Sequence, residues 1–433
     1  MDINDPKNAR SAHERAWLVP VAACLIAITA SFLFWHTKTG AVRNTNVGSR
    51  YATVEALVNW GTYDIDKTRY VNTIDKVKLN GHFLSSKPPL LPTTTAGAYW
   101  LFRQVTGDDI RTQEYNVVLF CNFVMVGLPH LLLLVFFFRF LSMTLKKPEA
   151  IIIALAGMCF CYLGLGYAIE LNNHSVAAAV AFISFYYAYR IRHSKDARTK
   201  HWILAGLLAG CLPGLDVPST FISGCIGLYL LTFDKKKTLT LFLPAMIPGI
   251  AAHFIMTYIA SGSVVPVYLR KEAYDYPGSY WRKPRGIDAL DEPKIYYGFN
   301  VLFGHHGVFS ITPPFIFAAI AVVDCLRKKE RYLETLMVSA IFLVLVTFYI
   351  FYTNNYGGSC VGMRWLIVMM PFLWLYFGIF LERYTLSKWV WALVFVSFGI
   401  AQYHVDDAIR SPWHDGRLHQ VFKRFESKLW FNK

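Results

Sequence analysis

Residues 114–138 read EYNVVLFCNFVMVGLPHLLLLVFFF, an apolar run that opens with one acid, Glu114, and stops at Arg139. A helix of about 20 mostly apolar residues crosses the hydrocarbon core of a bilayer. Because lipid offers the backbone no hydrogen-bond partners, such a segment is stable there as a helix, which satisfies its own N–H and C=O groups. Length and composition together predict that this stretch spans a membrane.

The same pattern recurs along the whole chain. The candidate spans are, approximately, 17–36, 114–138, 150–166, 174–190, 202–216, 219–233, 239–260, 308–325, 333–352, 364–381 and 387–403. The fifth and sixth are short, and the turn between Pro213 and Pro218 makes them either a tilted pair or one broken helix. The predicted fold class is an all-α polytopic membrane protein with about 11 transmembrane helices.

The composition excludes other classes of protein. Of the 433 residues, 55% are hydrophobic and 16% are charged, against roughly a quarter charged in an ordinary soluble domain. A chain this apolar must bury itself in a core or in lipid, which excludes disorder. Walker, Rossmann and zinc-hydrolase motifs are absent from the sequence, and no cysteine has metal-ligand spacing with a histidine. We therefore expect no metal and no nucleotide cofactor.

The distribution of lysine and arginine predicts the orientation. If the N-terminus is cytoplasmic, 20 of the 43 cations fall in inner segments, whereas the short outer turns hold one, Arg364. This asymmetry follows the positive-inside rule. The sequence therefore predicts a bacterial-type inner-membrane protein whose site faces outward. The net charge of +15 reflects topology and an outer surface facing membrane lipids, so nucleic acid is not an expected partner.

This topology defines the expected organisation of the chain. It comprises a cytoplasmic N-terminus at 1–16, a transmembrane domain at 17–403 with long outer loops at 37–113 and 261–307, and an outer C-terminal tail at 404–433. Residues 88–103 are apolar, but counting them as a span would move the cation-rich segments outside. We expect an interfacial or re-entrant helix there.

Polar residues of the first outer loop form one candidate site. The segment from Asn44 to Val58 reads as an amphipathic helix that ends at Gly61, and Asn46 either caps this helix or binds substrate. Further along, Lys87 precedes Pro88 and Pro89, which hold the chain extended. The lysine either binds a lipid phosphate or only reaches the headgroup level.

The other outer segments add further candidates. The turn from Glu170 to His174 places an acid, two amides and an imidazole between two apolar spans, where burial is costly unless each group finds a partner. These residues either point into a protein-lined cavity or cap the next helix. In the long third loop, Arg285, His305 and His306 accompany many aromatic residues, which suit either a phosphate-binding vestibule or an interfacial aromatic belt. Arg364 opens a span behind a glycine-rich turn and either clamps a phosphate or extends to the interface.

The order of these features resembles the GT-C superfamily of membrane glycosyltransferases, in particular the protein O-mannosyltransferase and lipid A aminoarabinose transferase type. The resemblance rests on Ser49-Arg50-Tyr51 and on the element from Gly81 to Leu90 with its Lys-Pro-Pro-Leu ending, and it covers roughly residues 15–190. It implies an isoprenoid-phosphate sugar donor and an inverting transfer. It also implies that an outer-loop aspartate acts as general base and that the lysine and arginines hold the lipid phosphate.

The sequence departs from that family at the expected acid. Where the family has Asp-Glu before x-Arg-Tyr, this chain has Val47-Gly48, with Asn46 beside them. Neither valine nor asparagine accepts a proton as a base. The candidate catalytic residues are therefore Asp64, Asp66, Asp75, Glu170 and His174, and the candidate substrate-binding residues are Asn46, Arg50, Lys87, Asn173, Arg285, His305, His306 and Arg364. The alternatives are a lipid or solute transporter, in which Asp216 and Glu170 are transport-site residues, and an inactive scaffold with the same fold.

Overall fold

The computed structural model describes residues 16–38, 42, 44–385, 387–405, 408 and 420–424. The helices are α1 (Leu18–Lys38), α2 (Thr45–Trp60), α3 (Leu90–Thr106), α4 (Glu114–Thr144), α5 (Pro148–Phe160), α6 (Asn173–His193), α7 (Thr199–Leu215), α8 (Val217–Leu231), α9 (Lys235–Ser261), α10 (Lys294–Leu302), α11 (Phe315–Lys328), α12 (Tyr332–Tyr352), α13 (Arg364–Arg383) and α14 (Lys388–Tyr403). Two short strands, β1 (Lys76–Leu79) and β2 (His82–Ser85), form a hairpin.

Each predicted span coincides with one of these helices. Within the described part of the chain, five helices are long and apolar enough to cross a membrane individually: α1, α4, α9, α12 and α13. The helices α5 and α8 are shorter apolar segments. The fifth and sixth predicted spans are separate helices, α7 and α8, joined at Asp216.

The eighth predicted span and the two ends of the chain differ from the expected boundaries. The span expected from residue 308 has its main helix, α11, only from Phe315, because Pro313 and Pro314 lack the N–H groups that would continue a helix from the short turn before them. Residues 1–15 of the expected N-terminal segment and most of the expected tail at 404–433 lie outside the described residues.

The first outer loop begins with the expected helix. Asn44 is the N-cap of α2, since its side chain accepts a hydrogen bond from the backbone N–H of Val47, and Gly61 ends the helix with a φ of 65°. The capping role considered for Asn46 therefore belongs to Asn44. Asn46 is left to make other contacts from the first turn of α2.

The hairpin places two distant residues side by side. Asn80 and Gly81 both have positive φ, which is the geometry of a tight two-residue hairpin turn. The register pairs Lys76 with Ser85, and the backbone N–H of Ser86 donates to the carbonyl of Asp75 at 3.1 Å. Asp75 and Lys87 are thereby brought to the same end of the hairpin.

Helix α3, which corresponds to the apolar stretch 88–103, packs against α2 and keeps Trp100, Leu101 and Val105 exposed. One buried and one exposed face fit the interfacial helix expected there.

The helices α7 and α9 approach each other closely at glycines. A Cβ on Gly210 would lie 2.2 Å from the carbonyl oxygen of Met246, so only glycine fits at this crossing. At the same end of α7, a Cβ on Gly214 would meet the side chains of Leu90 and His253. This packing sets the C-terminal end of α7 directly beneath the start of α3.

Candidate functional site

An ion pair joins Asp75, before the first strand of the hairpin, to Lys87, after the second. Lys87 Nζ lies 3.0 Å from Asp75 Oδ1, and the two side chains are only 15% and 10% exposed. Lys87 therefore does not extend to the interface, the alternative considered from the sequence. Ser49 from α2 fixes the same corner, since its hydroxyl donates to the backbone carbonyl of Asp75 at 2.5 Å.

Arg50 is the second buried cation of the site. Its guanidinium donates to the backbone carbonyl of Asn46 at 2.9 Å, to the Asn46 side chain and to the side-chain oxygen of Asn173 in α6. Asn173 also donates through Nδ2 to the carbonyl of Leu215 at 2.8 Å. The side chains of Asn46 and Asn173 thus position the arginine and tie the first outer loop to the ends of α6 and α7.

Arg364 is the third cation. Its Nε is buried and makes no hydrogen bond within the described part of the chain. Arg364 acts electrostatically on both Arg50 and Lys87. We refer to Arg50, Lys87 and Arg364 as the cation cluster.

Burial lowers the pKa values of two members of the cation cluster. Burial, with the positive charges of Arg50 and Arg364, lowers the pKa of Lys87 to about 8, although Asp75 acts in the opposite direction. Burial and the charge of Arg364 also lower the pKa of Arg50. Three positive charges within electrostatic range of one another favour the binding of an anion near them.

The lowered pKa of Lys87 predicts a pH dependence of anion binding. As the pH rises through about 8, the ammonium loses its proton and the affinity for a phosphate should fall, whereas a phosphate monoester, with a second pKa of about 6, keeps its charge. Titrations with polyprenyl phosphate between about pH 7.5 and about pH 9.5 should show roughly tenfold weaker binding at the higher value. Lys87→Arg stays charged and should remove this slope. An equal slope in Lys87→Arg would contradict the assignment.

The glycine-rich turn before α13 holds Arg364 in place. A Cβ on Gly357 would lie 3.1 Å from Arg364 Cγ and 3.2 Å from its Nε, whereas a Cβ on the neighbouring Gly358 would meet nothing within 4 Å. Both glycines have positive φ, 89° and 92°, so alanine strains the backbone similarly at either position.

This pair of glycines gives a matched test of the role of Arg364. Gly357→Ala should weaken polyprenyl phosphate binding several-fold relative to Gly358→Ala, because only the first displaces the guanidinium. Thermal unfolding of both variants measures the shared strain. Equal binding by the two variants would show that the position of Arg364 does not matter for the anion.

The polar turn of residues 170–174 begins α6, whose N-cap is Asn172, and its other side chains contact Asn44 and Asp216. Glu170 accepts a hydrogen bond from Asn44 Nδ2 at 2.8 Å. His174 is buried and feels the charges of all three members of the cluster. Its Nδ1 faces Asp216 Oδ1 at 3.6 Å, and Asp216 Oδ2 accepts from the hydroxyl of Ser219 at 2.5 Å.

Two candidate acids lie in a separate group. Asp64 and Asp66 both contact Nδ1 of His82, at 2.8 and 3.0 Å, and Asp66 also accepts from the backbone N–H of Phe83. These carboxylates raise the pKa of the exposed His82. Their ligand atoms and that of His82 lie within 4.8 Å of one another, which is close enough for a divalent cation, so the expectation of no metal stays a prediction.

The remaining candidates contact the site indirectly or not at all. His305 and His306 are buried and contact each other at 2.7 Å, and both pack on Tyr356, the residue before Gly357. They therefore support the turn that precedes Arg364. Arg285 is exposed, and the contacts described for it are those of its backbone with the hydroxyl of Tyr280.

Sequence reasoning missed some members of the site. It did not pair Asp75 with Lys87, although Asn80-Gly81 between alternating polar and apolar residues is a hairpin signal that would have done so. It assigned Asp216 only to the transporter alternative. An acid flanked by apolar residues and followed by Pro218 and Ser219 was a signal for a buried polar turn.

The fold and the site define a multi-pass helical membrane protein with a cationic site between the long loop of residues 44–113 and the ends of α6 and α7. No protein-family model matches the sequence, and no curated protein matches it. Among solved structures, the chain is similar to ArnT from Cupriavidus metallidurans in the apo state, with 13% sequence identity and a TM-score of 0.52 over 88% of this chain. The chain spans 62% of the length of that structure.

This likeness concerns the fold. ArnT is a lipid A aminoarabinose transferase with the GT-C fold, so the predicted all-α polytopic class and the resemblance to the GT-C fold are both confirmed. The likeness also supports the multi-pass membrane location.

Proposed function

We propose that this chain is an integral membrane glycosyltransferase that moves a sugar from a polyprenyl-phosphate donor to an acceptor on the outer face of the inner membrane. The observation that carries the proposal is the cation cluster, in which Arg50 is buried, the Lys87 side chain is 15% exposed, and the Nε of Arg364 is buried without a hydrogen-bond partner in the described chain. A buried donor that lacks an acceptor is costly, and a phosphate oxygen would satisfy it.

The chemistry of phosphate departure fits these three cations. When the bond between the anomeric carbon and the phosphate oxygen breaks, negative charge grows on the leaving phosphate. Fixed positive charges in a water-poor site stabilise that charge more than they stabilise the intact donor, which lowers the barrier. Lys87, Arg50 and Arg364 can perform this role, so the proposed reaction requires no metal and no nucleotide.

A small cavity of about 20 Å³, with room for about one water molecule, lies beside Lys87 and marks one side of the proposed donor site. Its wall includes the hydroxyl-bearing residues Thr53, Tyr63, Ser85 and Tyr268 together with Lys87. Hydroxyl groups near a phosphate site suit a sugar, whose own hydroxyls need hydrogen-bond partners. The positive-inside distribution of cations supports an outward-facing site with a cytoplasmic N-terminus.

The acceptor must be activated by a base, because the attacking group gains positive charge as it bonds to the anomeric carbon. A base on the side opposite the leaving phosphate gives inversion of the anomeric centre. The candidates from the sequence are Asp64, Asp66, Asp75, Glu170 and His174.

The experiment that tests this function is a donor assay. The purified chain in lipid nanodiscs is incubated with a panel of polyprenyl-phosphate hexoses and pentoses, together with a cell-envelope extract that supplies hydroxyl-bearing acceptors, and released polyprenyl phosphate is measured. Release from at least one donor supports transfer. A flippase would move the donor without cleaving it, so intact donor recovered in every case would contradict the proposal.

A further inference from the structure

The carboxylates considered as bases are already engaged. Asp75 is paired with Lys87 at 3.0 Å, and Glu170 accepts from Asn44 at 2.8 Å. Asp64 and Asp66 are paired with His82 on the far side of the hairpin turn. A carboxylate in an ion pair is a weaker base, because the partner's charge stabilises its ionised form.

Asp216 has a different environment. It lies between α7 and α8 and is only 6% exposed. Within the described chain its ion-pair contact is with His174, whose Nδ1 is 3.6 Å away, beyond hydrogen-bond distance. In the described part of the chain this Nδ1 is itself buried without a hydrogen-bond partner, and His174 is 8% exposed. No atom fits between two atoms this close, but a polar group beside both would satisfy the histidine nitrogen and contact the carboxylate.

This pair adjoins the cation cluster. Asn173, next to His174, accepts a hydrogen bond from Arg50 and donates one at 2.8 Å to the carbonyl of Leu215, next to Asp216. Asn173 thus links Arg50, a candidate phosphate-binding residue, to the chain segments that carry His174 and Asp216. The pair therefore lies near the proposed donor site, separated from Arg50 by Asn173.

One wall residue of the cavity beside Lys87 lies near Asp216. Tyr268 lines this cavity, its buried hydroxyl makes no hydrogen bond in the described chain, and it lies close enough to Asp216 for their charges to interact. Tyr268 therefore connects the surroundings of Lys87 with those of Asp216. Lys87 would hold the leaving group and Asp216 would face the acceptor.

We propose that Asp216 is the general base of the transfer and that a hydroxyl of the acceptor lies beside this pair, within hydrogen-bond distance of both Asp216 Oδ1 and His174 Nδ1. This inference rests on the proposed function. The acceptor oxygen forms a bond to the anomeric carbon, and the bond from that carbon to the phosphate oxygen breaks. The electron pair of the broken bond leaves on the phosphate, and the hydroxyl proton passes to Oδ1 of Asp216. His174 is a positioning residue that donates from Nδ1 to the acceptor oxygen.

The test compares Asp216→Asn with Asp234→Asn. Asp234 follows the other end of α8 and caps the start of α9 at Lys235. Asparagine keeps the shape of aspartate and its capacity to cap, so both variants should fold. Asp216→Asn should bind polyprenyl phosphate as the wild type does and should release it from the donor about 100-fold more slowly. Asp234→Asn should match the wild type in both measurements.

Azide separates a base from a structural residue. It is a nucleophile without a proton to lose, so it should restore donor cleavage in Asp216→Asn, giving a glycosyl azide, and should not restore it in Lys87→Ala. Wild-type rates in Asp216→Asn, loss of its lipid binding, or failure of azide to restore cleavage would each overturn this inference. If the wild type itself cleaves no donor, the proposed function is wrong. If the wild type cleaves donor and Asp216→Asn does so at the same rate, only the role of Asp216 is wrong.

Discussion

Lys87→Ala is expected to weaken the binding of polyprenyl phosphate about 100-fold, since a charged hydrogen bond to a buried anion contributes about 1.5–3 kcal/mol. The lysine is 15% exposed and lies in the cation cluster, so water cannot replace its contact with a phosphate. The loss should appear both in direct binding and in the rate of donor cleavage. Binding is measured by titration of polyprenyl phosphate against the chain in nanodiscs.

The control for this variant concerns Asp75. Removal of Lys87 leaves a buried carboxylate without its partner, which by itself destabilises the fold by several kcal/mol. The double variant Lys87→Ala/Asp75→Asn removes that unpaired charge and should regain thermal stability without regaining lipid affinity. If the double variant recovers both, Lys87 acts through the fold and does not contact the phosphate.

Arg364→Ala is expected to have an effect of similar size, about 100-fold, because the variant removes the buried Nε that lacks a partner in the described chain. The fold should gain slightly in stability, since the repulsion between Arg364 and the other two cations is relieved. Higher stability together with weaker lipid binding is expected when repulsion among the cations lowers the stability of the fold and favours binding of the anion.

The matched control is Arg383→Ala at the opposite end of the same helix, α13. Arg383 pairs with Asp324 and Glu330, so its loss should lower stability and leave lipid affinity unchanged. We therefore expect stability to rise in Arg364→Ala and to fall in Arg383→Ala, whereas lipid affinity should fall only in Arg364→Ala. Equal lipid affinity in Arg364→Ala and Arg383→Ala would remove Arg364 from the phosphate site.

The transmembrane part of the fold could be predicted because burial in lipid imposes a simple rule on the sequence. Runs such as 114–138 must satisfy their backbone internally, and only helices of sufficient length do so. The boundaries were less predictable, because hydropathy does not report where a proline pair such as Pro313-Pro314 interrupts a helix. Helix α11 starts at Phe315 for that reason.

The residues of the site could be predicted better than the contacts between them. Lys87 and Arg364 were identified by their positions at the ends of apolar segments and Arg50 by the family resemblance, and the structure places the three within electrostatic range of one another. Their proximity depends on tertiary contacts, such as the bridge from Arg50 through Asn173 to Leu215, that join residues far apart in sequence. Such contacts cannot be inferred from the spacing of residues along the sequence.

The acids were the least predictable part of the site. Asp64, Asp66 and Asp75 are near each other in sequence, yet the hairpin turn at Asn80-Gly81 leaves Asp64 and Asp66 with His82 and brings Asp75 to Lys87. Asp216, distant from all of them in sequence, reaches the same region through the close packing of α7 against α9. The environment of a carboxylate, which decides whether it is a base, is a property of the folded chain.

The most direct test of the central claim is an experimental structure of the full chain with polyprenyl phosphate bound. We expect the phosphate within hydrogen-bond distance, about 2.7–3.2 Å, of both Lys87 Nζ and Arg364 Nε, with the isoprenoid chain leaving toward the membrane. Asp216 should lie on the side of the site opposite the phosphate. A phosphate bound away from the cation cluster, or beside Asp64 and Asp66, would contradict the account.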